Sequence, residues 1–359
     1  MKRMLISLIL VLLLVPSLVF GQKAPDVVFE KDAQLHVVSL VQPLDNPWVV
    51  SNVRFQEAVA KALNIKLTVI ADEGTEESNI AAMESIMALN PDGVLFDPIT
   101  STAGIRDAAL LEENKIPGVT QDRLVVPNIH DYEGEYLIAA ATINTENWGY
   151  QMMKALIDQG SKNIAAIMDP KGVLTVEQAW EGALKVVSEH PEVKIIQESW
   201  QQKGREKGME TMERYLAAYD TGEIDGVYVF GSTTALGALY AIEQANRQNE
   251  IIVSTCDIDN DVATMIKEGR LASSMDGHWM LGGYGLIMLH DYLKGSMPTD
   301  RQPEFTLIGA DPSIIDDYIA TFVDGLPYSE EEIRSLSKVY NPDADVVNAL
   351  ETLYETWND

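Results

Sequence analysis

The sequence predicts an α/β protein of two doubly wound parallel-sheet lobes, and three observations carry that expectation. Short β-rich runs alternate with stretches of helical period from Leu35 onward, and the alternation restarts near Asn144. Two strand-end segments of the first half also recur, in order, in the second. Strands alternating with helices imply right-handed βαβ units around a parallel sheet.

In the first half, strands are expected at residues 35–41, 66–71, 93–96 and 116–120. Phe55, Val59, Ala62 and Leu63 recur between them at helical spacing, as do Ile80, Met83 and Ile86, then Ile105, Ala108 and Leu111. In the second half the strands are expected at 163–168, 194–199, 226–230 and 251–256. The intervening helices carry Trp148, Met152 and Leu156, then Ala183 and Val187, then Met209, Met212 and Leu216. Methionine stripes at this spacing read as core packing, because the flexible thioether fills irregular gaps. Asp92-Gly93-Val94-Leu95-Phe96 resembles Asp225-Gly226-Val227-Tyr228-Val229-Phe230, and the segments 116–122 and 251–257 both end Thr-x-Asp. The paired order and similar separation imply two halves of like topology.

The N-terminus sets the compartment. Lys2 and Arg3 precede an apolar run, 4–15, that Pro16 and Ser17 break, and Val19 and Gly21 suit a cut before Gln22. This is the pattern of a secretory leader over residues 1–21. The run is too short for the ~20 apolar residues of a spanning helix, which disfavours an uncleaved membrane anchor. At ~150 residues per domain the remainder suffices for two. The net charge of −29 argues against nucleic acid and anionic membrane surfaces as partners. Cys256 is the sole cysteine, so no disulfide forms within the chain and no lipid is expected on the leader. A soluble, unlipidated exported chain is expected in the periplasm, with secretion as the alternative.

In open parallel sheets, ligands bind outside the carboxyl ends of the strands. Asp97, Asp122 and Asp257 all lie just past such ends. An aspartate there often serves as a helix cap or loop residue; three at equivalent strand ends favour a site. Other chemistry is weakly supported. Asp257-Ile258-Asp259-Asn260-Asp261 resembles the start of a calcium loop with Glu268 at its twelfth position, but Val262 stands where the sharp turn needs glycine. A helix N-terminus is the competing reading. No nucleophile elbow, Walker loop or dinucleotide fingerprint is present, and the five histidines form no ligand pair. Neither cofactor nor metal is expected. Cys256, in a strand, reads as packing.

The ordered residues resemble the type I periplasmic binding proteins of sugar transporters, near the ribose- and galactose-binding proteins, over roughly residues 34–312. Leu44-Asp45-Asn46-Pro47-Trp48 is similar to the family's Asn-Pro-aromatic signature. Asp97-Pro98, Asp122-Arg123, Ala235-Leu236-Gly237-Ala238 and Leu293-Lys294-Gly295 match in order. The resemblance implies a sugar clamped by Asn46, Trp48, Asp97, Asp122, Arg123, Asn144 and Asp257, with Trp200 near a second aromatic position. Carboxylates accept from adjacent hydroxyls, Arg donates from a rigid fork, and Trp covers the apolar face of a sugar ring. Two positions depart from the family: Ala179 replaces an Arg, and Gly231-Ser232 replace Asn-Asp. Gln178, Trp180 and His278 are the candidate substitutes. The resemblance also implies three crossovers, near 143–145, 276–278 and 308–311. The first lobe is then 34–143 plus 279–309, and the second is 144–278 plus 310–359. The residues past Pro312 carry an amphipathic pattern at Ile315, Tyr318, Ile319 and Phe322, expected to pack outside the second lobe. A monomer delivering ligand to an inner-membrane ABC permease is implied; alternatives are a receptor module for a sensor kinase or chemoreceptor, and an exported enzyme on the same fold.

Overall fold

The computed structural model describes residues 23–353, apart from 172, 201–202, 306, 345, 347–348 and 350–351. The expected leader, 1–21, lies outside the described residues. The first lobe opens with β1 (Leu35–Val41), α1 (Pro47–Ala62), β2 (Ile65–Ala71), α2 (Glu76–Ala88), β3 (Gly93–Phe96), α3 (Ser101–Asn114), β4 (Gly118–Gln121) and β5 (Leu137–Ile143). The second runs through α4 (Thr145–Asp158), β6 (Asn163–Ile167), α5 (Leu174–Glu189), β7 (Lys194–Ser199), α6 (Arg205–Ala218), β8 (Gly226–Val229), α7 (Ser232–Gln244), β9 (Ile252–Cys256), α8 (Asn260–Lys267) and β10 (Ser273–Asp276). The chain then returns as α9 (Leu281–Leu293) and β11 (Glu304–Phe305), and crosses again as β12 (Ile308–Ala310). It ends in α10 (Ile315–Tyr318), a short π-helical turn (Ile319–Val323) and α11 (Glu330–Ser335).

Two six-stranded sheets result, ordered β2-β1-β3-β4-β5-β11 and β7-β6-β8-β9-β10-β12. The second repeats the first strand for strand, as the duplicated segments imply. One difference lies at the far edge, where β11 joins β5 in parallel but β12 joins β10 antiparallel. Central strands such as β3, β4 and β8 are buried along their whole length because helices cover both faces, so they read as continuous apolar runs. The edge strands β2 and β7 are half exposed.

The chain passes between the lobes after β5, after β10 and between β11 and β12. The third passage falls between Phe305 and Ile308, ahead of the expected 308–311, because Ile308–Ala310 already pairs with β10.

The lobes pack their helices differently. In the second lobe α4 and α5 touch backbone to backbone. A Cβ on Gly149 would meet the Ala179 carbonyl oxygen at 1.7 Å, and one on Gly182 would meet that of Glu146 at 1.8 Å. In the first lobe α9 is buried over all thirteen residues, between α1 and strands β3 to β5. A helix apolar on every side needs cover on every side, and its outer face is covered by the C-terminal segment. The tail therefore leaves the second lobe, against the expectation that it stays there. Tyr328 stacks on Phe55 at 6.0 Å, Arg334 Nε donates to the Ala62 carbonyl at 2.9 Å, and Ser337 Oγ donates to Asp291 at 2.5 Å.

Gly182→Ala is expected to force α4 and α5 apart and to destabilise the protein by about 1–3 kcal/mol, the usual cost of overpacking. Thermal unfolding measures it; an unchanged melting temperature contradicts the backbone contact.

Candidate functional site

The carboxyl ends of both sheets face a shared cleft that holds a cavity of 460 Å³. From the first lobe it is lined by Gln42, Asp45, Asn46, Trp48, Asp122 and Arg123. Trp148, Asp169, Lys203, Phe230, Asp257 and His278 line it from the other side. A second cavity of 290 Å³ adjoins it on the side of the crossovers and shares Asp122, Arg123, Val173 and Thr175 as wall.

The Thr-x-Asp repeat explains the two central carboxylates. Asp122 follows β4 with φ of 61°, and Asp257 follows β9 with φ of 65°. Both are left-handed, a conformation Asp tolerates better than most residues and one that recurs at functional sites. Their backbone amides donate to equivalent neighbours, Asp122 to the Ala141 carbonyl and Asp257 to that of Met275, each at 3.0 Å. The sharp turn after each strand aims one carboxylate into the cleft from each lobe.

At the N-terminus of α1, Pro47 stands in the first turn and the Asn46 Oδ1 accepts the Trp48 amide at 3.0 Å. That cap uses the carbonyl oxygen of Asn46 and leaves its NH₂ for the cleft. The Arg123 guanidinium donates to the Ile99 carbonyl at 3.1 Å, which fixes it to the first lobe.

His278 is the most constrained side chain in the cleft. Its ring centroid lies 5.1 Å from Trp48 of the first lobe and 5.1 Å from Trp148 of the second. Nε2 is 3.4 Å from Asp257 Oδ1 and Nδ1 is 3.4 Å from Asp276 Oδ1. Burial opposes the imidazolium, but the Asp276 contact and the charges of Asp257 and Asp122 outweigh it and raise the His278 pKa to about 9. The indole faces add cation–π attraction. Asp257, with a quarter of its side chain open to the cleft, is pushed above the ordinary carboxylate range by burial, while His278 holds it down. The two carboxylates address opposite ring nitrogens, which makes the trio an ion-pair chain; one ligand atom from each of the three lies within 4.8 Å of the others.

The remaining expected residues are placed as follows. Asn144 and Gln178 line the second cavity, and the Asn144 Oδ1 caps α4 through the Asn147 amide at 2.9 Å. Asp97 is fully buried behind Gln42, whose Nε2 donates to it at 2.7 Å, and burial lifts its pKa to about 7 against the pull of Arg123. It supports the cleft wall and does not reach the cavity. Trp180 is buried against Tyr228 at 5.6 Å, on the sheet face beneath α5. Trp200 packs edge-on to Trp180 at 6.5 Å beneath Lys171 and lines an outer depression with Tyr215 and Tyr219. Neither indole joins the cleft. Trp200 sits just past β7 at the sheet edge, and Trp180 reaches from α5 across to Tyr228 of β8. Asp259 Oδ1 accepts the Val262 amide at 2.9 Å, so the calcium-like segment is a helix cap.

Sequence reasoning missed Asp169, Trp148, Lys203 and Phe230. Asp169 stands just past β6, the same criterion that selected Asp97, Asp122 and Asp257; burial raises its pKa to about 6, with Lys203 and Arg123 opposing. Trp148 read as helix core and is indeed 3% exposed, yet its ring faces the cleft. Cys256 lines the cavity floor, its sulfur accepting the Gly231 amide at 3.0 Å, and burial pushes its thiol well up, away from a nucleophilic thiolate.

A family model for a periplasmic binding protein domain matches residues 37–297. The ribose import binding protein of Haemophilus influenzae is 24% identical over 275 residues, covering 76% of this chain and 90% of that protein. The D-allose-binding periplasmic protein of Escherichia coli is 22% identical over 277 residues, covering 75% and 88%. Among solved structures, an ABC transporter periplasmic solute-binding protein of Actinobacillus succinogenes with bound D-allose superposes with a TM-score of 0.73. At 23% identity that match covers 79% of this chain and 100% of the other.

The raised His278 pKa fixes a sign. Its stabilising contribution is fully present below the ordinary value of 6.5 and is lost as pH rises through about 9. The melting-temperature advantage of wild type over His278→Gln is therefore expected at about pH 6 and to vanish by about pH 10. An advantage independent of pH rules out a buried imidazolium.

Proposed function

Because the chain belongs to the periplasmic binding protein family, we propose that it captures a small uncharged polar ligand, a sugar, between its lobes in the periplasm and delivers it to an ABC permease. The observation that carries the reading is the placement of Asp122 and Asp257. They stand at equivalent strand ends, turned by the same left-handed backbone, on opposite walls of one 460 Å³ cavity. A ligand that bonds to both is held by both lobes, and only a closed arrangement offers it both contacts. Closure is then driven by differential affinity, with the three passages as hinges.

The balance of charge in the cavity supports an uncharged polyol. Four carboxylates, Asp45, Asp122, Asp169 and Asp257, face Arg123, Lys203 and His278, so neither sign of ligand charge is strongly favoured. Carboxylates and cations at close quarters suit hydroxyls, which donate to one and accept from the other. Trp48, Trp148 and Phe230 supply the apolar faces that cover ring C–H groups. The names of the relatives point the same way, to ribose and D-allose. With the Arg missing at Ala179 and the Asn-Asp at Gly231-Ser232, the polar groups of the second lobe on the cavity are Asp169, Lys203, Asp257 and His278, with Gln178 on the adjoining one. These departures argue that the ligand differs from ribose.

A thermal-shift panel of pentoses, hexoses, polyols and nucleosides is expected to yield stabilising sugars, since a ligand that binds the folded state raises the melting temperature by mass action. Asp122→Ala and Asp257→Ala should each abolish that shift while the unliganded proteins still unfold cooperatively. Ligand shifts retained in both variants overturn the site, and stabilisation by non-carbohydrates alone overturns the sugar reading.

A further inference from the structure

The C-terminal segment crosses the hinge a fourth time. It leaves β12 in the second sheet, and α10 packs on α8, where Lys267 Nζ meets Asp316 at 2.6 Å. It then returns to the first lobe. There the Arg54 guanidinium of α1 donates to the carbonyls of Phe322, Val323 and Gly325 at 2.8, 2.8 and 3.0 Å. Farther on, the Tyr328 hydroxyl meets that of Tyr284 of α9 at 2.9 Å. Where the tail begins this return, the buried Tyr318 hydroxyl donates to Asp276 Oδ2 at 2.8 Å. The other oxygen of Asp276 faces His278 Nδ1 at 3.4 Å, and His278 Nε2 faces Asp257 at 3.4 Å. A continuous chain of polar contacts thus runs from the tail, past the second crossover, into the cleft.

We propose that the tail is a fourth tether across the hinge and that Tyr318 is a positioning residue for the cleft. Through Asp276 it holds the His278 ring against Trp48, Trp148 and Asp257, so tail docking sets ligand affinity. The physical reason is geometric. A carboxylate anchored on one oxygen by a phenol cannot swing, and its second oxygen is then kept 3.4 Å from His278 Nδ1, an ion-pair contact that holds the imidazolium by charge. The charged or titratable groups facing His278 are Asp276 and Asp257 from the second sheet, Asp122 from the first lobe and, one step removed, Tyr318 from the tail. The proposal rests on the reading of the cleft as a ligand site.

The test uses the full chain and Tyr318→Phe, which removes one hydroxyl and leaves the Arg54 and Tyr328 contacts to keep the tail docked. Histidine Cε1–H signals are followed by NMR from about pH 5 to about pH 10, with His278 assigned from His278→Gln. The His278 midpoint is expected to fall by about one unit or more in Tyr318→Phe. A Tyr318 that serves only packing would lower the melting temperature and leave that midpoint unmoved, which overturns the positioning role. Should Tyr318→Phe not fold, Tyr318→Met, which also removes the hydroxyl and leaves the Asp276 charge in place, gives the same readout. In parallel, D-ribose, D-allose, L-arabinose and myo-inositol are titrated calorimetrically into both proteins. Any that binds wild type should bind Tyr318→Phe several-fold more weakly; equal affinity with a shifted midpoint overturns the link to ligand. If none of a full sugar panel binds wild type, the sugar reading fails while the midpoint still decides the positioning role.

Discussion

The constraint on which this structure depends is that a parallel sheet gathers the carboxyl ends of its strands along one edge. Two such sheets in one chain can share a site only if those edges face each other. The connections enforce this, because the chain leaves β5 for the second lobe, leaves β10 for the first, and links β11 to β12. All the passages lie at one end of both sheets, so the lobes are hinged along one side and the strand ends open into a common cleft. The carboxylates that line the cleft then follow from strand order: Asp122 after β4, Asp169 after β6 and Asp257 after β9.

Inside that cleft, burial and charge work against each other at short range. Asp257 would be strained by desolvation without a cation, and His278 would lose its proton to burial without the carboxylates beside it. Together they form a stable chain, and the aromatic faces of Trp48 and Trp148 enclose it. Trp48 belongs to the first lobe and Trp148, Asp257 and Asp276 to the second, so the Trp48 face and the Asp122 charge reach His278 only when the lobes are near one another. That ties the electrostatics of one residue to the separation of two domains.

The tail and α9 explain each other. A largely apolar helix on the outside of a lobe would be an exposed hydrophobic face; here Tyr328, Ser337 and Tyr340 cover it, and all its residues are buried. The cover crosses from one lobe to the other, so it cannot be indifferent to their relative position. Arg54, with three carbonyl acceptors, marks where the tail grips the first lobe.

Much of this was legible in sequence. Apolar runs flanked by turn residues located the central strands, since strands buried on both faces admit little else. β5 was not read from its pattern, because Ala139, Ala140 and Ala141 carry no β-branched or aromatic signal. The Thr-x-Asp repeat located the two left-handed turns that carry Asp122 and Asp257 to the cleft wall, because the same strand-end turn was encoded twice. Trp180, on α5, and Trp200, past β7, were expected in the cleft and lie outside the cavity, because an aromatic can face a cleft or pack on its own lobe and local sequence does not distinguish the two. Trp148 was read as core and is core, and its second role as cleft wall was not legible, because a helix position at core spacing can also line a neighbouring cavity. The sequence by itself determined two α/β units, their strand ends and the carboxylates placed there, all consequences of local period and turn chemistry. Only the tertiary structure decided which side chains meet across the lobes, how His278 is held among Asp257, Asp276 and two indoles, and where the tail docks. Those contacts join residues far apart in the chain, whose proximity depends on how two rigid bodies are hinged.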